Sequence, residues 1–513
     1  MIRQDPYSSN FQLQHWLWFV ALSSLGLRLW ISHALPITGD EAFFYWWGVY
    51  PDWGYYDHPP MVGWLIAAMR FLLGDATWAI RFPVVVLPLI VGGLLWWSIK
   101  PKQPDLAAWG LLFFWLAPIN WVNVLITTDT PLIFWTALSV ALLIRADQRE
   151  HWDRRTAWLY GLSGMALGCA FLSKYFAVVL ALAYGAYFVV YRRDRWAGLL
   201  ILLLCALPGP MINAAWNMSH GWPNIMFNAI NRNQEAAFEW FKPWLYLGML
   251  AYLLTPALIW LGLRYRHHGS KVFRQQRLLG VLLLVPLLFF ALLSFKKVVG
   301  LHWVLAFYPW VFLWFALLLP PPSWKSCAQG LAAFTALHLA LIAGVSFTQL
   351  EQWEGQPRYY SMVRAFRTAE LLKQVTSPQS VLMADGYAPA AAFGHTLGHY
   401  VPVFGPGKFH ARQDDLLVDF SSYQGKTIRI LVSDSDPPDL SHYQAYFDTV
   451  KVLSFIQSGV TFHAVEGQNF NYQAYRRGVL GEIFQRYYAI PEWLPMTGCP
   501  FCVRYCGMVR CPR

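Results

Sequence analysis

The sequence predicts a polytopic α-helical membrane protein of about 11 transmembrane helices, followed by a small C-terminal soluble α/β domain. Three observations carry this. Of 513 residues, 57% are hydrophobic and 13% charged, with a mean hydropathy of +0.35, whereas soluble domains carry about 25% charged residues. The apolar residues come in blocks long enough to cross a bilayer. From residue 348 the texture changes to short β-like runs alternating with helical patterns. Together these exclude a soluble enzyme, a disordered chain and a disulfide-stapled miniprotein.

In chain order the apolar blocks fall near 14–36, 78–99, 105–126, 131–145, 157–173, 175–191, 197–217, 243–263, 278–295, 301–320 and 328–347. No small-x-small site follows the first block, so it reads as a span and not as a cleaved signal peptide. The stretch 59–73 is apolar but only about 15 residues long, which places it flat on or just inside the membrane. Orientation follows from the loops. Sixteen Lys/Arg, from Arg3 to Lys325, lie in loops on the side of the N-terminus. Seven lie opposite: Arg70, Arg81, Lys174, Arg232, Lys242, Lys296 and Lys297. This bias puts the N-terminus of a multi-pass membrane protein in the cytoplasm. An odd number of spans then puts residues 348–513 on the far side of the membrane. The net charge of +11 belongs almost wholly to these loops, because residues 349–513 hold 15 Lys/Arg and 14 Asp/Glu. It is an orientation signal facing anionic lipid and gives no nucleic-acid face.

The expected domains are a membrane domain over 1–347, a periplasmic α/β domain over 348–498 and a Cys-rich tail over 499–513. Strands are expected at 381–383, 427–432, 450–456 and 460–465, and helix over 361–375. Cys169, Cys205 and Cys327 sit in or beside spans as inert packing. Cys499, Cys502, Cys506 and Cys511 form C-x2-C-x3-C-x4-C, which fits a metal clip or two disulfides. An oxidising compartment favours disulfides, and the spacing matches no zinc module.

The residues with chemistry gather on the outer side. Thr38-Gly-Asp-Glu-Ala-Phe-Phe-Tyr-Trp-Trp47 sets two acids before five aromatics. It reads either as an interfacial aromatic belt with hydrated acids or as a general base, partly desolvated among the rings. In a helix, neighbours point about 100° apart, so only one of Asp40 and Glu41 can be that base. Asp57 and His58 are fixed before Pro59-Pro60, in a turn role or a binding one. Asp129, in Thr127-Thr-Asp-Thr-Pro131, fits a helix N-cap or a rim acid facing a ligand. Lys174 interrupts a nearly uncharged stretch and must pair, snorkel or bind an anion. Lys296, Lys297 and His302 run against the positive-inside trend, and His220 and Arg232 complete a polar rim. Such a face suits an anionic, lipid-linked substrate.

The runs GDEAFFYWW, YYDHPPMVGWL, TTDTPLIFW, FLSKY, SHGW and K-K-x-x-G-L-H-W occur in an order that resembles the bacterial dolichyl-phosphate-mannose–protein mannosyltransferase-like family, over roughly residues 15–320. These are polytopic glycosyltransferases of the C-type fold, related to the lipid A aminoarabinose transferases. The resemblance implies an inverting enzyme that moves a sugar from a polyprenyl phosphate to a hydroxyl of a lipid, glycan or protein. Asp40 would be the catalytic base, with Glu41 beside it. Lys174, Lys297, His58 and Arg81 would hold the donor phosphate, His58 standing where the aminoarabinose transferases have Lys. Asp129, Asp57, His220 and His302 would serve as second acid or acceptor contacts. No cofactor is required; a divalent cation, if used, would sit between Asp40 and Asp129. The absence of G-x-G-x-x-G and Walker A runs agrees with a donor that is not a nucleotide. The C-terminal domain is expected to dock over the outer cavity or recruit an acceptor. The competing class is a transporter or flippase of lipid-linked sugars, for which the chain lacks the internal symmetry.

Overall fold

A computed structural model describes residues 6–231, 238–407 and 412–506, so that Arg3, Arg232 and Cys511 lie outside the described residues. Each of the eleven apolar blocks falls on helix. Among the described residues, eight helical stretches are long and apolar enough to cross a membrane: Gln12–Ala34, Thr77–Ile99, Asp129–Asp147, Arg154–Ser173, Arg193–His220, Lys242–Arg264, Arg277–Ser294 and Pro321–Ser346. Three blocks give shorter helices, Pro104–Leu116, Ala177–Tyr191 and Tyr308–Leu318. Proline sets two of these ends. Pro118 follows the first of them, and the run Pro320-Pro321-Pro322 follows the last; without an N–H, neither can extend the ladder. The 59–73 stretch is the helix Met61–Leu73.

The chain divides into two units, Met1–Leu35 with Leu73–Met211 and Ala236–Ser346, and Pro36–Leu72 with Ile212–Glu235 and Phe347–Arg513. The first unit is the helical one. In lipid, apolar side chains gain nothing by choosing a helix over an acyl chain, so close backbone approach and polar contacts decide pairing. Ser139 and Ser163 exchange hydroxyl–carbonyl bonds of 2.8 Å between neighbouring helices, and the Tyr184 hydroxyl lies 2.9 Å from that of Ser139. Gly164 faces the backbone of Trp196–Ala206 so closely that a Cβ there would lie 2.0 Å from the Leu202 carbonyl oxygen. Gly164→Leu is therefore expected to cost several kcal/mol, above the usual ~1–3 for overpacking, because backbone cannot step aside as a side chain can. A sharply lower melting temperature in detergent, with loss of monodisperse protein, is the measurement.

Arg28 lies inside the first span and is 2% exposed. Its Nε donates to the Val85 carbonyl (3.0 Å), one Nη to the Asn120 carbonyl (2.7 Å), and the other to the Val84 carbonyl. Pro88, inside the helix Thr77–Ile99, offers no N–H to the carbonyl four residues back, which is that of Val84. Arg28 thus satisfies a backbone oxygen that a proline has orphaned at membrane depth.

The second unit holds a four-stranded sheet of β1 (Ser380–Ala384), β2 (Thr427–Leu431), β3 (Thr449–Gln457) and β4 (Val460–Gln468), in the order β1-β2-β4-β3. β1 and β2 are parallel; the other pairs are antiparallel. β3 and β4 form a hairpin closed by Ser458 and Gly459, whose φ values of 47° and 74° are those of a tight two-residue turn. The expected helix over 361–375 is two, Tyr359–Phe366 and Thr368–Val375, broken at Arg367. Buried Arg412 donates to Asp415 (2.8 Å) and to the Gly405 carbonyl. Neighbouring Asp414 accepts the Val403 N–H at 2.9 Å, and burial pushes its carboxyl up to about 6. In the tail Cys499 is disulfide-bonded, while Cys502 and Cys506 are thiols whose Sγ atoms lie 3.0 Å apart.

Candidate active site

In the second unit, the helix Gly39–Val49 begins with a capping box. The Glu41 carboxylate accepts the Thr38 N–H at 3.1 Å and its hydroxyl at 3.0 Å, while the Glu41 N–H donates to the Thr38 hydroxyl at 3.4 Å. Thr38-x-x-Glu41 is the sequence signature of this device, a signal the sequence reading passed over. Glu41 is fully buried and Asp40, one residue earlier, is exposed. The desolvation expected of an acid among these aromatics therefore falls on Glu41. Asp40 faces outward at the helix start, where one carboxylate oxygen accepts the Tyr387 hydroxyl at 2.9 Å.

The aromatic run locks the helix in place. Trp47 stacks on Tyr55 at 4.3 Å and 3°, and the Tyr55 hydroxyl donates to the Trp47 carbonyl at 2.8 Å. Gly63 makes room for that hydroxyl, since a Cβ there would come within 2.4 Å of it. The Tyr55 N–H bonds the His58 carbonyl at 3.1 Å, closing the 55–58 turn, and the Asn228 amide holds the Asp57 carbonyl at 2.6 Å. The His58 imidazole lies 3.9 Å from the Asp57 carboxylate, beside the rings of Phe44 and Trp47. His220 stacks on Trp216 at 4.3 Å, with Nδ1 2.9 Å from both the Trp216 carbonyl and the Ser219 hydroxyl. Trp216 in turn donates to Asp52 at 3.0 Å.

In the first unit, Lys174 ends the helix Arg154–Ser173 and Asp129 starts the helix Asp129–Asp147. The Lys174 Nζ lies 2.8 Å from each carboxylate oxygen of Asp129, and both side chains are at least nine-tenths buried. Asp129 is thus an ion-pair partner and makes no side-chain cap; the helix start has Thr128 at the N-cap position without a side-chain bond. Arg81 is fully buried and donates to the Ser32 and Leu35 carbonyls at 3.0 and 2.7 Å, satisfying the last turn of the first helix. Lys297, half-buried, and His302, exposed, stand on the segment after Arg277–Ser294.

The structure therefore brings together Asp40 with Tyr387, Asp57 with His58, and Asp129 with Lys174. Sequence reading missed Tyr387, Asp52 and Arg28. The residues do not fit a resident metal: Asp129 has both oxygens on an ammonium, and the described residues contain no group of three His, Cys, Asp or Glu placed to hold an ion.

Residues 57–216 match the dolichyl-phosphate-mannose-protein mannosyltransferase family. TTDTPLIFW, FLSKY and all but the first two residues of YYDHPPMVGWL lie within that stretch, whereas GDEAFFYWW, SHGW and K-K-x-x-G-L-H-W lie outside it. The lipid A galacturonosyltransferase RgtD of Rhizobium johnstonii is 29% identical over 211 residues, which are 38% of this chain and 42% of that protein. The chain thus matches about two-fifths of that relative's length. Among solved structures, ArnT of Cupriavidus metallidurans in its apo state superposes with a TM-score of 0.65 at 15% identity, over 88% of this chain and 98% of that one. The same protein bound to undecaprenyl phosphate gives 0.63 at 14% identity, with the same coverage. The chain has the fold of ArnT, a polytopic helical membrane fold with a small sheet domain, as its motifs imply.

Proposed function

We propose that this chain is an inverting glycosyltransferase of the bacterial inner membrane. It would move a sugar from a polyprenyl phosphate to a hydroxyl of a lipid, glycan or protein on the periplasmic face, with its N-terminus in the cytoplasm. The loop charge supports that orientation, and the match to the mannosyltransferase family together with the likeness to RgtD and ArnT supports the donor class. The observation that carries the reading is the exposed Asp40 carboxylate, fixed at a helix start while its neighbour Glu41 is spent on the cap.

In the reaction, Asp40 takes the proton of the acceptor hydroxyl as that oxygen attacks the anomeric carbon. The bond from that carbon to the phosphate oxygen breaks on the opposite face, its electron pair leaves with the polyprenyl phosphate, and the configuration inverts. Positive charge must meet the growing charge on the phosphate. Lys297 and Lys174 are nominated, the latter with Asp129 on its other side; His58 shares its place with Asp57, and Arg81 serves carbonyls. The test is turnover. Purified protein given a panel of hexosyl, pentosyl and uronosyl polyprenyl phosphates with envelope lipids is expected to release polyprenyl phosphate and label one acceptor. Donor that crosses a vesicle membrane intact, with no cleavage of any member of the panel, would overturn the enzyme in favour of a flippase.

A further inference from the structure

Tyr387 is the first residue of the helix Tyr387–Leu397, which leaves the end of β1 in the sheet-bearing part of the chain, nearly 350 residues after Asp40. Its hydroxyl nonetheless donates to the Asp40 carboxylate at 2.9 Å. The approach is built on both sides. Gly39 lies so close to this helix that a Cβ would come within 2.6 Å of the Ala388 Cβ. The Tyr387 ring packs on Phe43 at 4.9 Å, the Trp46 indole donates to the Ala391 carbonyl at 3.2 Å, and Tyr45 meets His395 at 4.7 Å. The start of the helix is held as well. Asp385 accepts the Ser433 N–H at 3.0 Å and its hydroxyl, tying the end of β1 to the end of β2. A phenol so anchored has one direction in which to point.

We infer that Tyr387 is the positioning residue of the catalytic base: its hydroxyl holds one oxygen of Asp40 and so aims the other at the acceptor hydroxyl. The inference rests on the reading of Asp40 as that base. A carboxylate on a helix start swings about two side-chain torsions, and both oxygens are equivalent until one is bonded. With one oxygen accepting from Tyr387, the other takes the acceptor's proton, and Tyr387 keeps its own. The sheet domain is then part of the reaction centre by way of a single hydrogen bond.

Tyr387→Phe keeps the ring against Phe43 and removes the hydroxyl alone. In the full-length protein it is expected to lower kcat about 10- to 100-fold, with the donor KM within about twofold and an unchanged melting temperature. In an Asp40→Glu background, where one more methylene displaces the carboxylate from the place the hydroxyl holds, the same change is expected to cost less than about threefold. A kcat at the parent level in Tyr387→Phe, or an equal loss in both backgrounds, overturns the inference. Asp40→Asn measured beside it separates the two failures: an inactive Asp40→Asn with a fully active Tyr387→Phe removes only the positioning role, whereas an active Asp40→Asn removes the base and this role with it.

Discussion

Asp40→Asn is expected to lower kcat for sugar transfer by about 10²- to 10⁴-fold, the range a positioned general base supplies, while the protein folds as before. Glu41→Ala is expected to do the reverse: activity within about tenfold of the parent, and stability lower by about 1–2 kcal/mol for a lost cap. The two acids are adjacent and of the same chemistry, so only their places separate them. Asp40 is exposed and bonded to one phenol, so its amide removes charge but little packing. Glu41 is fully buried with its carboxylate on Thr38, so its loss opens the start of a helix. The checks are kcat at saturating donor and the thermal midpoint in the same detergent. Transfer at the parental rate in Asp40→Asn, or an inactive Glu41→Ala as stable as the parent, would exchange the two roles.

What the sequence makes legible is what depends on periodicity and block length. All eleven apolar stretches are helical, and the four β-like runs are the four strands, because both are written in contiguous residues. The capping box at Thr38 and Glu41 was equally readable and settles which acid of the pair is free to face outward. Other features join residues that are far apart in the chain. Asp129 and Lys174 are 45 residues apart, and nothing in either motif names the other as its partner. Arg28 left a hint only in retrospect: a lone cation in a span and a proline in another are complementary once their helices touch. Tyr387 left none, since a tyrosine after Asp385-Gly386 reads as an ordinary strand-to-helix turn until Gly39 is seen to admit it.

Lys174→Met is expected to destabilise the protein by about 3–5 kcal/mol, more than any surface change, because it strands the Asp129 carboxylate without its counter-charge. The ammonium lies 2.8 Å from both Asp129 oxygens, and the two side chains are only 10% and 7% exposed. Taking both charges away is a different matter. The double variant Lys174→Met/Asp129→Leu removes the desolvation along with the attraction and is expected to unfold within about 2 kcal/mol of the parent. Thermal unfolding in detergent distinguishes the two, and a double variant as unstable as the single one would mean that something other than charge holds these helix ends. The folded double variant also isolates the chemistry. If Lys174 meets the donor phosphate as well as Asp129, the donor KM is expected to rise about tenfold or more, the scale of a lost charge-assisted bond. A donor KM unchanged in a folded double variant would leave the pair as a clamp between the start of one span and the end of another, and would pass the phosphate to Lys297.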